Sequence, residues 1–189
     1  MKQVKCRRLM MAIVSILATS GCTSIGSSVE QGSEDIGGRM NMQEAADRAD
    51  SILDATFADI KPAVEWVHGE STEGSCDVSR RRAVLTVISE RQRGAFLGVV
   101  ERGWKKAGYR HLGVNASAES PATYFETEDG FRVRLLIGGG GQAFFEVATP
   151  CVEKSQVTPP SSASGNPSSV GGHIPRPNIR SPFWSAGAP

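Results

Sequence analysis

Phe131-Arg-Val-Arg-Leu-Leu-Ile137, four glycines at 138–141, and then Gln142-Ala-Phe-Phe-Glu-Val147 form the stretch that decides how this chain folds. Phe131, Val133, Leu135 and Ile137 alternate with Arg132 and Arg134. Ala143, Phe145 and Val147 alternate with Gln142 and Glu146, so both runs carry the two-residue period of a strand with one dry and one wet face. The glycines make the turn between them. Working backwards, Asp129-Gly130 marks a second turn, and residues 122–127 and 109–115 read as two further strands. An antiparallel run of this kind, wet and partly basic on one face, must cover its apolar face with something else.

Two helices supply the cover. Asn41-Met-Gln-Glu44 has the capping-box pattern, and Met42, Ala45, Ala46, Ala49, Ile52, Leu53, Phe57 and Ile60 recur at helical spacing until Pro62 stops the helix. Ser89-Glu-Arg-Gln92 repeats the pattern ahead of a stripe of Phe96, Val99, Val100, Trp104 and Ala107 that closes at Gly108. Residues 63–68 and the β-branched run 82–88 read as strands, with 69–79 as the loop between them. The expected fold is α+β: an antiparallel sheet of about six strands with two helices packed on one face, occupying residues 40–152.

The flanks speak about location. Lys2, Lys5, Arg7 and Arg8 precede an apolar run at 9–18 and then Thr19-Ser-Gly-Cys22, the order of an export signal over residues 1–21. The apolar run is too short for a bilayer span, which needs about 20 residues. Cys22 is the expected lipidation site, an acylated mature N-terminus that would hold the protein on the extracytoplasmic face of the cell membrane. An ordinary secretory signal would leave Cys22 incidental. Arg7-Arg8 also permits twin-arginine export, with the Sec route the expected one. Residues 22–39 are Gly/Ser-rich and read as a flexible tether. Residues 153–189 hold seven of the ten prolines and lack a core-forming pattern, so a disordered tail, dispensable for folding, is expected there. Pro182-Phe-Trp184 is its one sticky spot.

Export also organises the cysteines. Cys6 leaves with the signal and Cys22 takes lipid, so Cys76 and Cys151 remain in an oxidising compartment and are expected to pair. Both lie just outside predicted strands, where the backbone can reach bonding distance.

Charge narrows the partners. The formal net charge of +1 becomes −3 once the signal, with four of the 21 basic residues and none of the 20 acidic ones, is removed. That balance argues against a nucleic-acid partner. The basic residues nevertheless cluster in the middle of the domain. Arg80, Arg81, Arg82, Arg102, Lys105 and Lys106 are the candidate anion-binding residues, with Arg110, Arg132 and Arg134 nearby. Above a membrane their expected partners are anionic lipid, a wall polymer or another envelope protein, and solvated surface charge is the plainer reading.

Catalytic chemistry finds little support. His68, His111 and Cys76 fit no zinc spacing, no serine sits in a Gly-x-Ser-x-Gly setting, and glycines 138–141 feed a strand rather than the helix N-terminus a phosphate cradle needs. No catalytic residue, metal ligand or cofactor is expected. The functional expectation is a non-catalytic binding or adaptor module of the cell envelope. The alternative is a small extracytoplasmic enzyme or ligand carrier, which would need an enclosed pocket.

The segments NMQEAADRADSILDATF at 41–57, TVISERQRGAFLGVVERGWKKAGY at 86–109 and GQAFFEVATPCV at 141–152 give residues 40–152 a further meaning. Through them the chain resembles a group of functionally uncharacterised lipoproteins of Streptomyces and related actinobacteria. The resemblance implies membrane anchoring and a shared fold, and it supplies no catalytic residues.

Overall fold

Asn41 opens the folded part as its position predicts. Its side chain accepts from the backbone N–H groups of Gln43 and Glu44, and the Glu44 carboxylate accepts from the Asn41 N–H at 2.9 Å, which satisfies donors that the first turn would leave bare. Helix α1 (Met42–Asp59) follows, and its apolar residues, Ala45, Ala49, Ile52, Leu53 and Phe57 among them, are buried. The computed structural model describes residues 40–160 and 173–188. The export signal, Cys22, the tether and residues 161–172 lie outside the described residues.

After α1 come β1 (Trp66–His68), β2 (Thr72–Glu73), β3 (Val78–Val84), α2 (Glu90–Lys106), β4 (Arg110–Asn115), β5 (Ala122–Glu126), β6 (Arg132–Ile137) and β7 (Ala143–Ala148). The strands form one antiparallel seven-stranded sheet in the order β1-β3-β7-β6-β5-β4, with β2 paired to β3. Registers such as Leu135 opposite Phe145 and Val133 opposite Val147 stack the dry positions of β6 and β7, and both helices contribute to the core formed on that face. Phe145 lies at the centre of this core, with ring centroids 4.7 Å from Phe57, 6.2 Å from Phe96 and 6.5 Å from Trp104. The fold is α+β with two helices on one face of an antiparallel sheet.

Several local expectations shift. The loop at 69–79 contains the short β2, which adds a strand. The strand expected at 82–88 runs instead from Val78 to Val84, because Arg80 and Arg82 occupy inward positions that a polar reading assigns to solvent. Ser89 stands at the N-cap of α2 without a side-chain capping bond; its hydroxyl donates to the Ala186 carbonyl at 2.8 Å. The glycine turn is a short 3₁₀ segment in which Gly141 (φ 75) passes under Ile88. A Cβ there would lie 2.1 Å from the Ile88 carbonyl oxygen, so this position requires glycine.

The expectation of a disordered, dispensable tail is corrected over the parts described. Glu153 bridges to Asn41, and the Thr158 N–H donates to the Gln43 side chain at 2.7 Å. Farther on, the Val87 N–H donates to the Ile179 carbonyl at 2.9 Å. Trp184 is 0% exposed and meets Phe96 edge-on at 5.1 Å, and its indole N–H donates to the Pro62 carbonyl at 2.7 Å. A segment without apolar period can still join a core through a single large aromatic whose polar atom finds an acceptor.

Cys76 and Cys151 are joined by a disulfide, with Cα atoms 4.8 Å apart. It ties the chain entering β3 to the chain leaving β7. Its neighbours reinforce the join, since the Val152 N–H donates to the Cys76 carbonyl at 2.8 Å.

Candidate functional site

The alternation of β3 divides the three consecutive arginines between two faces. Arg80 and Arg82 lie under α1, 1% and 2% exposed. They are held there by Asp50 and Asp54, four residues apart and so on one side of the helix. Arg80 Nε is 3.1 Å from Asp50 Oδ2, and Arg82 donates to Asp54 Oδ1 at 2.6 Å. Arg80 also donates to the Ser71 hydroxyl and the Thr158 carbonyl, each at 2.7 Å. The Arg82 guanidinium lies over the Trp66 ring at 3.9 Å, a cation–π contact strengthened by the burial of both side chains. Two of the six candidate anion-binding residues are therefore internal. A guanidinium can be buried when a carboxylate pairs with it, and α1 supplies both carboxylates: Asp50, 20% exposed, and Asp54, whose 61% exposed side chain reaches in from the rim.

His68 belongs to the same cluster. It is the cross-strand neighbour of Arg82, 3% exposed and edge-on to Trp66. Burial, and then the Arg82 charge, holds its imidazole below the usual histidine range. Burial raises the Asp50 carboxyl above its ordinary value despite the pull of Arg80 and Arg82, and it lowers the Arg82 guanidinium. Because His68 resists protonation only in the folded state, the unfolded chain binds the extra proton first as pH falls. Stability should decline as pH drops below about 6.5, the ordinary histidine value. The raised Asp50 acts in the opposite sense in the carboxylate range, so the window above that range isolates the histidine. Thermal midpoints measured across it should fall for the native chain and stay flatter for His68→Leu. A native midpoint that is level across the window would remove His68 from this role.

The remaining candidates do not share one surface. Arg102, Lys105 and Lys106 are exposed on α2, where Lys105 pairs with Glu101 at 3.6 Å. Arg81 points to the other face of the sheet. The six residues expected to form one basic patch thus divide among the interior, the helix layer and the open sheet.

That open face carries Arg81 of the six candidates together with Arg110, Arg132 and Arg134, in an arrangement set by strand register. Strand register sets Arg81, Glu146, Arg134, Tyr124 and Gly113 in one row across β3, β7, β6, β5 and β4. A second row sets Arg132, Glu126 and Arg110 across β6, β5 and β4. Glu146 Oε2 accepts from Arg81 at 2.6 Å and from Arg134 at 2.7 Å. Glu126 pairs with Arg110 and lies 3.6 Å from Arg132. Both glutamate side chains are 20% exposed, whereas Arg132 is 74% and Arg110 69% exposed, so the carboxylates are the more covered groups and these two guanidinium groups the more accessible. At the β4 end, Arg110, Leu112, Gly113, Tyr124, Glu126 and Arg132 surround a depression of about 370 Å³. Guanidinium groups so placed can offer forked N–H donors to an incoming anion.

His68 on β1 and His111 on β4 stand at opposite edges of the sheet, and Cys76 is bonded to Cys151. Among the described residues no group of three or more His, Cys, Asp or Glu side chains is placed to share a metal ion. No described helix is long and apolar enough to cross a membrane. The groove between α1 and α2, lined by Thr56, Asp59, Val100, Trp104 and Tyr109, has about 30 Å³ of space, room for about one water. Comparison with family models, curated proteins and solved structures finds no match for this chain.

Proposed function

We propose that this protein is a lipid-anchored, extracytoplasmic binding module of the cell envelope, and that the sheet face left open by the two helices holds an anionic partner. The signal ending at Cys22, the resemblance to actinobacterial lipoproteins and a disulfide suited to an oxidising compartment support the location. One observation carries the binding reading: four arginines and two less exposed glutamates share a face that neither helix covers. Charge attraction across such a face is long-ranged in dilute salt and screened at high salt.

Two measurements test the proposal. Cys22→Ser should move the protein from the membrane fraction to the soluble fraction, and persistence in the membrane would mean another anchor. The mature chain should bind phosphatidylglycerol vesicles or an anionic wall polymer with an affinity that falls steeply with salt, and the double change Arg132→Glu, Arg134→Glu should abolish it. Salt-insensitive binding, or none, would return the face to solvated charge.

A further inference from the structure

We infer that the open face takes a linear polymer bearing an anion on each repeat, laid across the strands along Arg81, Arg134, Arg132 and Arg110. The inference rests on the anion-binding reading above and narrows its partner. Neighbouring strands lie about 4.8 Å apart and alternate residues of a strand about 7 Å apart. The path therefore runs about 10 Å from Arg81 to Arg134, about 7 Å to Arg132 and about 10 Å to Arg110, roughly 27 Å in all. One small anion can meet one or two of these groups. A chain can meet all four.

Two features favour a polymer over a bilayer surface. The guanidinium groups are unequally exposed: Arg81 and Arg134 are 33% and 40% exposed, against 69% and 74% for Arg110 and Arg132. A flat layer of headgroups would engage the exposed pair in preference to the half-covered pair, while a thin flexible chain can reach both. The second feature is Tyr124. Its cross-strand neighbour on β4 is Gly113, which has no side chain, so the depression at that end carries a tyrosine and Leu112 between two exposed arginines. Cations beside an apolar patch suit a polymer whose repeats alternate an anion with a polyol or sugar carbon skeleton, a polyol phosphodiester or an anionic glycan.

Length dependence tests this. The mature chain carrying Cys22→Ser is titrated with glycerol phosphate, with poly(glycerol phosphate) chains up to and beyond the span of about 27 Å, and separately with phosphatidylglycerol vesicles. Affinity should rise with chain length until the track is spanned. For the longest chains its logarithm should fall with the logarithm of salt at a slope of about −3, as expected for release of counterions from four contacts on a single strand. Arg132→Glu should weaken the long chain about tenfold or more, since a charge-assisted contact contributes about 1.5 to 3 kcal/mol. Arg102→Glu, on α2, should leave the affinity nearly unchanged. Equal affinity for glycerol phosphate and the long chain overturns the inference. Vesicle binding without polymer binding also overturns it, while leaving the anion-binding reading of the face intact. If neither probe binds, both readings fall together.

Discussion

Replacing Trp184 with alanine should lower the midpoint of thermal unfolding by about 6 to 20 °C. The side chain is 0% exposed, edge-on to Phe96, and its indole N–H satisfies the Pro62 carbonyl at 2.7 Å. Truncating a buried Trp to Ala costs about 3 to 5 kcal/mol, and each kcal/mol moves the midpoint of a domain this size by about 2 to 4 °C. The backbone around it is engaged too, since the Ser89 N–H donates to the Trp184 carbonyl at 2.9 Å. Ending the chain after Pro160 should therefore be at least as damaging, because it also removes the pairing of Ile179 with Leu85 and Val87. Trp184→Phe keeps most of the buried area and loses the hydrogen bond, so it should fall between the native chain and the alanine variant. A truncated chain with an unchanged midpoint would show that the segment is no part of the fold.

Reduction of the Cys76–Cys151 disulfide should have a comparable effect. Its partners are 75 residues apart, and in the chain-entropy account closing a loop of that length stabilises the folded state by about 4 to 4.5 kcal/mol. That approaches the lower end of the stability of folded domains, about 5 to 15 kcal/mol. Cys76→Ser should therefore unfold the protein or sharply lower its midpoint. Adding reductant should bring the native chain to the same value and leave the variant where it was. The non-reduced mature protein should yield no free thiol from these two positions under denaturant. Two titratable thiols, or a midpoint indifferent to reductant, would refute the assignment.

Much of the fold was legible from residues a few positions apart. The capping box at Asn41 and Glu44, the stop before Pro62, the positive-φ Gly108 after α2 and the alternation through β6 and β7 depend on neighbours within one turn or one pleat. The cysteine pairing was expected by elimination, on the reading that Cys6 leaves with an export signal and Cys22 takes lipid, and the Cys76–Cys151 bond is present. The candidate site was only partly legible. Arg80, Arg81 and Arg82 look alike in sequence, yet two are inside and one is half-exposed, and Arg82 meets an Asp54 that lies 28 residues earlier. Glu126, Glu146 and Tyr124 join the open-face rows through strand register, which no local pattern specifies.

The amino-acid sequence by itself determined the α+β class, the two helices, the four strands after Gly108 and the disulfide, because each follows from local periodicity, turn chemistry or the count of thiols. Only the tertiary structure decided which arginines are buried, which sheet face the two helices leave open and where Trp184 goes. The buried arginines and Trp184 share one physical reason. Burying a guanidinium is tolerable only beside a carboxylate, and burying an indole N–H only beside an acceptor, and here those partners are brought by helix packing and by contacts such as the one 122 residues long between Trp184 and Pro62.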